Sequence, residues 1–295
     1  MITKDDIKEL LSALKFKEID GVFTKMYEGV SVPLKVDVSK EHFYYKEIGI
    51  TVGRETTSNF SEPENFVVFE CVDRLLTMGY KPDDIELEPS WKLGRTTKGG
   101  FADIWVRTHN SFNSEIAEDK ESLIIIECKR ADEFDGAWKD TLEDGAQLFS
   151  YFQQEQATKF LCLYTSDISE EGVKPSYYLI NVQDNEEKLK NNPGLLAYKD
   201  AKNNKQLFRV WHDTYQCDVA TRGLFEDDMQ AYHIGKNKFS VQDLVPISNE
   251  EIKKKYNEFA TILRRHNVGA RENAFDKLVN LFLAKVVDET NNPND

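Results

Sequence analysis

The chain has 295 residues, of which 40% are hydrophobic and 31% charged, as is typical of a globular protein that buries a sizeable core. Its 52 acidic and 38 basic residues give a formal net charge of −14, which argues against a protein that coats nucleic acid or an anionic membrane by bulk attraction. No apolar stretch approaches the ~20 residues of a membrane helix, and Met1 is not followed by the layout of a signal peptide. We therefore expect a cytoplasmic protein with no membrane partner.

The first 62 residues predict a helix followed by a β-hairpin. Residues 3–14 place apolar side chains at helical spacing. Residues 22–38 alternate apolar and polar positions on either side of Glu28-Gly29, which is typical of two strands joined by a turn. The polar segment 53–63 predicts a loop, so we treat residues 1–62 as an N-terminal extension.

The central part of the chain predicts strands that alternate with helices. A helix is predicted over residues 65–78, ending at Gly79, and a second over 141–154. Strands are predicted at 85–88, 101–106, 123–129, 160–165 and 177–182. The run 123–129 is the most apolar strand, so it is expected at the centre of a sheet, and its succession by a helix and another strand predicts a right-handed βαβ crossover.

The remaining segments complete the predicted organisation. Residues 183–204 predict a surface excursion, 205–245 show no resolvable pattern, and helices are predicted after Pro246. The resulting fold class is α/β, with a central mixed sheet flanked by helices. Its domains are the extension 1–62, a main domain 63–245 and a helical segment 246–295.

The four cysteines carry no metal or redox motif. They lie at least thirty residues apart and form no CxxC pair, which argues against a zinc ribbon or a dithiol site. The sequence therefore predicts buried thiols at each of them, namely Cys71, Cys128, Cys162 and Cys217.

Three charged residues interrupt two apolar predicted strands. Glu127 and Lys129 alternate with apolar residues, so they share one face of their strand, roughly 6.5–7 Å apart along the backbone. Asp103 lies in the preceding strand, and a hairpin between the two strands would bring it beside Glu127. Burying an unpaired charge costs several kcal/mol. A metal ion and a phosphate would supply the missing partners, and a structural ion-pair cluster is the alternative.

These residue types meet the needs of phosphodiester hydrolysis. Two carboxylates such as Asp103 and Glu127 hold a hard cation such as Mg²⁺ and leave its other positions to water and phosphate. A lysine at position 129 can orient the attacking water or neutralise charge in the transition state. A D…ExK pattern alone is weak, and its placement on two predicted strands strengthens it.

Residues 66–165 resemble the PD-(D/E)XK nuclease superfamily, in the form found at the N-terminus of type I restriction endonuclease subunits. The pattern of that family is an acid on a first helix, an Asp after a loop, an E-x-K strand and a Q-x-x-x-Y helix. All four elements occur here in order, as Glu70, Asp103, Glu127-Cys128-Lys129, and Gln147 with Tyr151.

The resemblance implies a role for each of these residues. Asp103, Glu127 and the Cys128 backbone carbonyl would bind Mg²⁺, for which Mn²⁺ can substitute, and Glu70 would support the metal or a water. Gln147 and Tyr151 would position Lys129 or contact DNA near the scissile phosphate. The implied activity is that of a Mg²⁺-dependent endodeoxyribonuclease of a restriction-modification system, with double-stranded DNA as its substrate.

Residues 267–289 show a second resemblance, to the helical region that precedes the catalytic domain of N6-adenine DNA methyltransferases. The glycine-rich S-adenosylmethionine motif and the N/D-P-P-Y/F motif do not occur in the sequence. S-adenosylmethionine and ATP are therefore expected only through other domains or subunits, which would supply specificity, methylation or motor functions. Two alternatives stay open: an inactive nuclease fold that binds DNA, and an accessory N-terminal part of a DNA adenine methyltransferase.

Overall fold

The computed structural model describes residues 2–89, 101–109, 120–169, 172–226 and 229–235, and a few later positions. The chain divides into two compact units, Met1–Asn237 and Lys238–Asp295. The later positions are 248, 253, 279–281, 283 and 284, all helical except Ser248. Most of the predicted helical segment 246–295 lies outside the described residues.

The N-terminal residues form a four-stranded antiparallel sheet next to a short helix, where the sequence predicted only a hairpin. The elements are α1 (Ile7–Ala13), β1 (Lys17–Ile19), β2 (Val22–Lys25), β3 (Leu34–Asp37) and β4 (His42–Phe43). The predicted pairing of β2 with β3 is confirmed. The side chains of β1 are all exposed, so that strand has no alternating pattern from which it could be predicted.

The main sheet has six strands and mixed polarity, which confirms the α/β prediction. Its members are β5 (Thr51–Val52), β6 (Ile85–Leu87), β7 (Ile104–His109), β8 (Lys120–Cys128), β9 (Phe160–Ser169) and β10 (Gly172–Asn181). Their order is β10-β9-β8-β7-β6-β5. β8 is therefore internal, as its apolar sequence requires. It pairs in parallel with β9, as predicted for the crossover, and antiparallel with β7.

Helices cover both faces of this sheet. They include α2 (Glu64–Met78), α3 (Phe134–Leu142), α4 (Gln147–Gln154) and α6 (Asn204–Arg209), and α5 (Glu186–Asn191) lies between α4 and α6 in the chain. One core contains α2, the N-terminal sheet and alternate side chains of β8, including Ile126. The other core contains Ile125 of β8 with α3, α4 and α6. Phe43 of β4 stacks on Phe69 of α2 with ring centroids 4.5 Å apart.

The helix predicted over 141–154 is wrong as a single element. The chain leaves helical geometry between α3 and α4, where Asp144 and Gly145 have φ values of 58° and 77°. A Cβ on Gly145 would lie 2.5 Å from the backbone carbon of Asn204, a distance that real Cβ atoms do not reach. The close approach of α6 therefore requires glycine here and ends the helix.

Two further predictions need correction. Residues 183–204 are not entirely a surface excursion, because Tyr198 is buried in the second core. Cys217 is exposed, whereas the other three cysteines are buried as predicted. None of the described helices is long and apolar enough to cross a membrane.

Candidate active site

The register of β7 and β8 brings Asp103 and Glu127 together. Ile104, the first residue of β7, pairs antiparallel with Ile126 of β8, so the residue before Ile104 lies beside the residue after Ile126. The Cys128 N–H donates a 2.6 Å hydrogen bond to Asp103 Oδ2. This bond fixes the Asp103 carboxylate against the end of β8, the arrangement that the hairpin prediction required.

Lys129 follows the last residue of β8 and joins the same cluster. Its N–H donates to the Tyr164 carbonyl of β9 at 2.8 Å, which continues the sheet beyond β8. Its Nζ lies 2.7 Å from Glu127 Oε1 and 2.9 Å from Glu64 Oε1. With 18% of its side chain exposed, Lys129 is a largely buried cation shared by two carboxylates.

Glu64, the second of those carboxylates, was not predicted as a site residue. It is the first residue of α2 and follows Pro63. An acidic residue in the first turn of a helix is ordinary, since it interacts favourably with the helix dipole. No sequence signal therefore distinguished Glu64 from a simple helix-start acid.

Burial and mutual repulsion set the protonation of the cluster. Burial raises the pKa of Asp103 well above its usual range, and the neighbouring Glu127 and Glu64 raise it further. Burial likewise raises the pKa of Glu127, against the opposing effect of Lys129. Burial opposes the charge of Lys129, but the three carboxylates raise its pKa. Three acids thus share one cation, so the cluster carries excess negative charge when all three are ionised, and the raised pKa values reflect that cost.

The chemistry of this donor set fits Mg²⁺. Glu127 Oε2 is buried and accepts no hydrogen bond of ordinary geometry from the described residues, so one carboxylate oxygen lacks the partner that burial demands. Across the described parts of the chain, no three His, Cys, Asp or Glu side chains form a ready-made metal group. Mg²⁺ does not need one, because it is usually bound by one or two carboxylates together with water and substrate phosphate.

Of the two predicted residues on α4, the structure brings only Tyr151 to the cluster. The Tyr151 hydroxyl donates a 2.9 Å hydrogen bond to the carbonyl of Phe101, two residues before Asp103. It also lies close enough to Glu127 to lower the pKa of that carboxyl. Gln147, at the start of α4, is exposed, and the hydrogen bonds within the cluster do not involve it.

If the chain has the nuclease activity that the resemblance implies, we expect Tyr151→Phe to lower DNA cleavage about tenfold, the equivalent of one hydrogen bond of roughly 1.4 kcal/mol. Loss of the hydroxyl removes an interaction that favours the ionised form of Glu127, so the acidic limb of the rate–pH profile should move to higher pH. Cleavage rates measured from pH 5 to pH 9 test this. An unchanged rate and profile would assign Tyr151 to packing alone.

Glu70 lies away from the cluster. It is fully buried on α2, where it is ion-paired with Arg74 and accepts a hydrogen bond from the Tyr164 hydroxyl. Tyr164 belongs to the core on the α2 side of the sheet, whereas Glu127 alternates with Ile126 of that core and faces the other side. The acid of α2 that contacts the cluster is therefore Glu64, whereas the resemblance implied Glu70.

We expect Glu70→Ala to act on stability and not on the chemical step. Removing one partner of a buried ion pair costs about 3–5 kcal/mol, because Arg74 and Tyr164 lose their acceptor. Urea unfolding measures this loss, and cleavage normalised to the folded fraction should match the unmodified protein. Loss of cleavage by a fully folded Glu70→Ala protein would show that Glu70 does contribute to the active site.

The arrangement can hold a divalent cation between two carboxylates and place an ammonium group beside it. Such a set suits the hydrolysis of a phosphodiester, in which an anionic phosphate must be polarised and approached by water. No protein-family model matches this chain, and no curated protein shows significant similarity to it. The function is therefore inferred from the site residues themselves.

Proposed function

We propose that this chain is a Mg²⁺-dependent endodeoxyribonuclease domain of the PD-(D/E)XK type, belonging to a cytoplasmic restriction-modification enzyme. The observation that supports this most is the convergence of Asp103, Glu127 and Lys129 at the ends of β7 and β8. Burial raises the pKa of the Asp103 and Glu127 carboxyls, so the cluster costs stability. Such perturbed acids are typical of functional sites. The substrate is double-stranded DNA.

In this proposal Asp103 and Glu127, with the Cys128 carbonyl, would hold Mg²⁺, or Mn²⁺ in its place. The bound cation supplies polarisation of the scissile phosphate and a water of lowered pKa. The hydrogen bond from Cys128 N–H keeps the Asp103 carboxylate oriented. Lys129, held between Glu127 and Glu64, keeps its proton and places positive charge where negative charge develops in the transition state.

Partner domains or subunits complete the proposed enzyme. The net charge of −14 offers little general attraction to DNA, so affinity and sequence choice come from specificity, methylation or motor components. S-adenosylmethionine and ATP would act through those components. The chain alone is then expected to cleave slowly and with little sequence preference.

Cleavage of supercoiled plasmid by the 295-residue chain tests the proposal. Nicked and linear products should appear with Mg²⁺ or Mn²⁺ and not with EDTA. Glu127→Gln removes one carboxylate of the cluster. Lys35→Ala, which breaks a surface ion pair between Lys35 of β3 and Glu47, serves as the control. Cleavage that survives Glu127→Gln would refute the assignment of the site, and a folded protein that binds DNA without cutting would favour the inactive module.

A further inference from the structure

Arg54 packs against the chain segment that contains Asp103. Its guanidinium stacks on the Phe101 ring, with the guanidinium carbon 3.8 Å from the ring centroid. Phe101 is two residues before Asp103, and its carbonyl accepts the hydrogen bond from Tyr151. Stacking on an aromatic face holds the guanidinium plane in one orientation. A cation is thus fixed beside the acidic cluster without being part of it.

Glu88 ties Arg54 to Asp103 from the other side. Its carboxylate is ion-paired with Arg54 Nε, and its backbone N–H donates a 3.0 Å hydrogen bond to the Asp103 carbonyl. Glu88 has a φ of +46°, in the left-handed region that residues other than glycine rarely adopt. Backbone in such a conformation persists where its surroundings over-determine it, commonly at functional sites.

Gly53 fixes the position of the backbone immediately before Arg54. Its N–H donates to the Leu87 carbonyl at 2.8 Å, which extends the pairing of β5 with β6. A Cβ at Gly53 would lie 2.1 Å from the Glu88 carbonyl oxygen, so only glycine allows this approach. Backbone packing, aromatic stacking and an ion pair therefore all fix the position of one arginine.

The guanidinium still has donors to offer. Arg54 uses Nε for Glu88, and within the described residues no hydrogen bond leaves its two terminal nitrogens. Its side chain is 49% exposed, against 13% for Glu88. Two other cations near the cluster, among the residues that the structure describes, are each shared by two carboxylates: Lys129 by Glu127 and Glu64, and Arg130 by Asp132 and Glu133. Arg54 is thus the better placed of these cations to receive an anion.

We propose that Arg54 binds a DNA backbone phosphate next to the scissile one and so positions the duplex over Asp103 and Glu127. This inference rests on the proposed function, because it takes DNA as the substrate. Two terminal N–H groups of a stacked guanidinium match the oxygens of a phosphate in a bidentate contact. The contact offsets, at the site itself, the repulsion between DNA and an acidic protein.

The test measures binding separately from cleavage. Binding of a fluorescein-labelled duplex is titrated in EDTA at several salt concentrations, in an Asp103→Asn background that cannot hold the metal. Arg54→Ala should weaken binding about tenfold and reduce the slope of log affinity against log salt by about 1, the loss of one phosphate contact. Arg54→Lys keeps the charge and should restore the slope but only part of the affinity, since it lacks the planar fork.

Glu88→Gln distinguishes phosphate binding from a structural role. If Arg54 only supported Glu88, then Glu88→Gln and Arg54→Ala would weaken binding alike. If Arg54 binds phosphate, Glu88→Gln releases it from a competing carboxylate, so binding should be equal or tighter. Lys35→Ala again controls for removal of one surface charge.

Cleavage by the otherwise unmodified chain separates this inference from the proposed function. Mg²⁺-dependent cleavage that is unaffected by Arg54→Ala, with unchanged binding, overturns the role of Arg54 and leaves the nuclease in place. Absence of cleavage in the unmodified chain, together with a salt slope reduced by about 1 in Arg54→Ala, rejects the nuclease and keeps Arg54 as a DNA contact. Absence of any duplex binding overturns the inference.

Discussion

Lys129→Ala is expected to lower Mg²⁺-dependent cleavage by at least about 10²–10³-fold, as the loss of a positioned group that stabilises transition-state charge commonly does. Lys129 is the only cation in ion-pair contact with Glu127 among the described residues. Initial rates of plasmid nicking, compared with those of Lys35→Ala, measure the effect.

The same substitution should leave the fold intact. Glu127 loses its cation, but it can respond by binding a proton more readily, because a buried carboxyl without a cation favours its neutral form. Circular dichroism at pH 6 checks the fold, and Lys129→Arg tests whether charge alone suffices. Cleavage by folded Lys129→Ala at the normal rate would show the proposed mechanism to be wrong.

Asp103→Asn is expected to abolish cleavage and to stabilise the metal-free protein at neutral pH. The asparagine carbonyl oxygen can still accept the hydrogen bond from Cys128 N–H. The substitution removes a carboxylate whose charge is opposed by burial and by Glu127 and Glu64. Stability and function are therefore opposed at this position, which is common where a site needs close like charges.

The direction of the pH dependence follows from the raised pKa values. The folded protein holds protons on Asp103 and Glu127 more tightly than the unfolded chain does. This contribution to stability is complete below the unfolded pKa values of about 4 and is lost as the pH rises through the folded values. Lys129 and Glu64, which face the same carboxylates, remain in both proteins.

Thermal unfolding in EDTA from pH 4 to pH 8 measures this difference. The melting temperature of the unmodified chain should fall with rising pH more steeply than that of Asp103→Asn. Adding Mg²⁺ at pH 8 should stabilise the unmodified chain and not the variant, because bound metal stabilises only the state that binds it. A less stable Asp103→Asn protein, with a parallel pH profile, would mean that Asp103 has a structural role.

The sequence predicts the central part of the fold well because its strongest signals are local. Residues 123–129 form an apolar run too continuous for a surface strand, and the structure places β8 inside the sheet. The antiparallel pairing of β7 with β8 then brings Asp103 into contact with the end of β8. Alternation alone assigns Glu127 and Lys129 to one face.

The features that the sequence does not predict depend on distant parts of the chain. Glu64 and Glu70 are both acids of α2, and helical periodicity cannot tell which of them meets Lys129. That depends on how the start of α2 lies against the end of β8. The break between α3 and α4 depends on the approach of Asn204 to Gly145, although Asn204 lies 59 residues later in the chain. Arg54 lies in a polar loop and acquires its place only through Glu88 and Phe101.

Calorimetric titration of Mn²⁺ into the 295-residue chain tests most directly whether Asp103 and Glu127 form a divalent-cation site. We expect one site, with proton release that is detectable as a dependence of the heat on buffer ionisation, because the metal displaces protons from carboxyls of raised pKa. Asp103→Asn and Glu127→Gln should each abolish binding, while Glu70→Gln should retain it. Absence of binding to the folded chain, or binding that survives both site substitutions, would contradict the account.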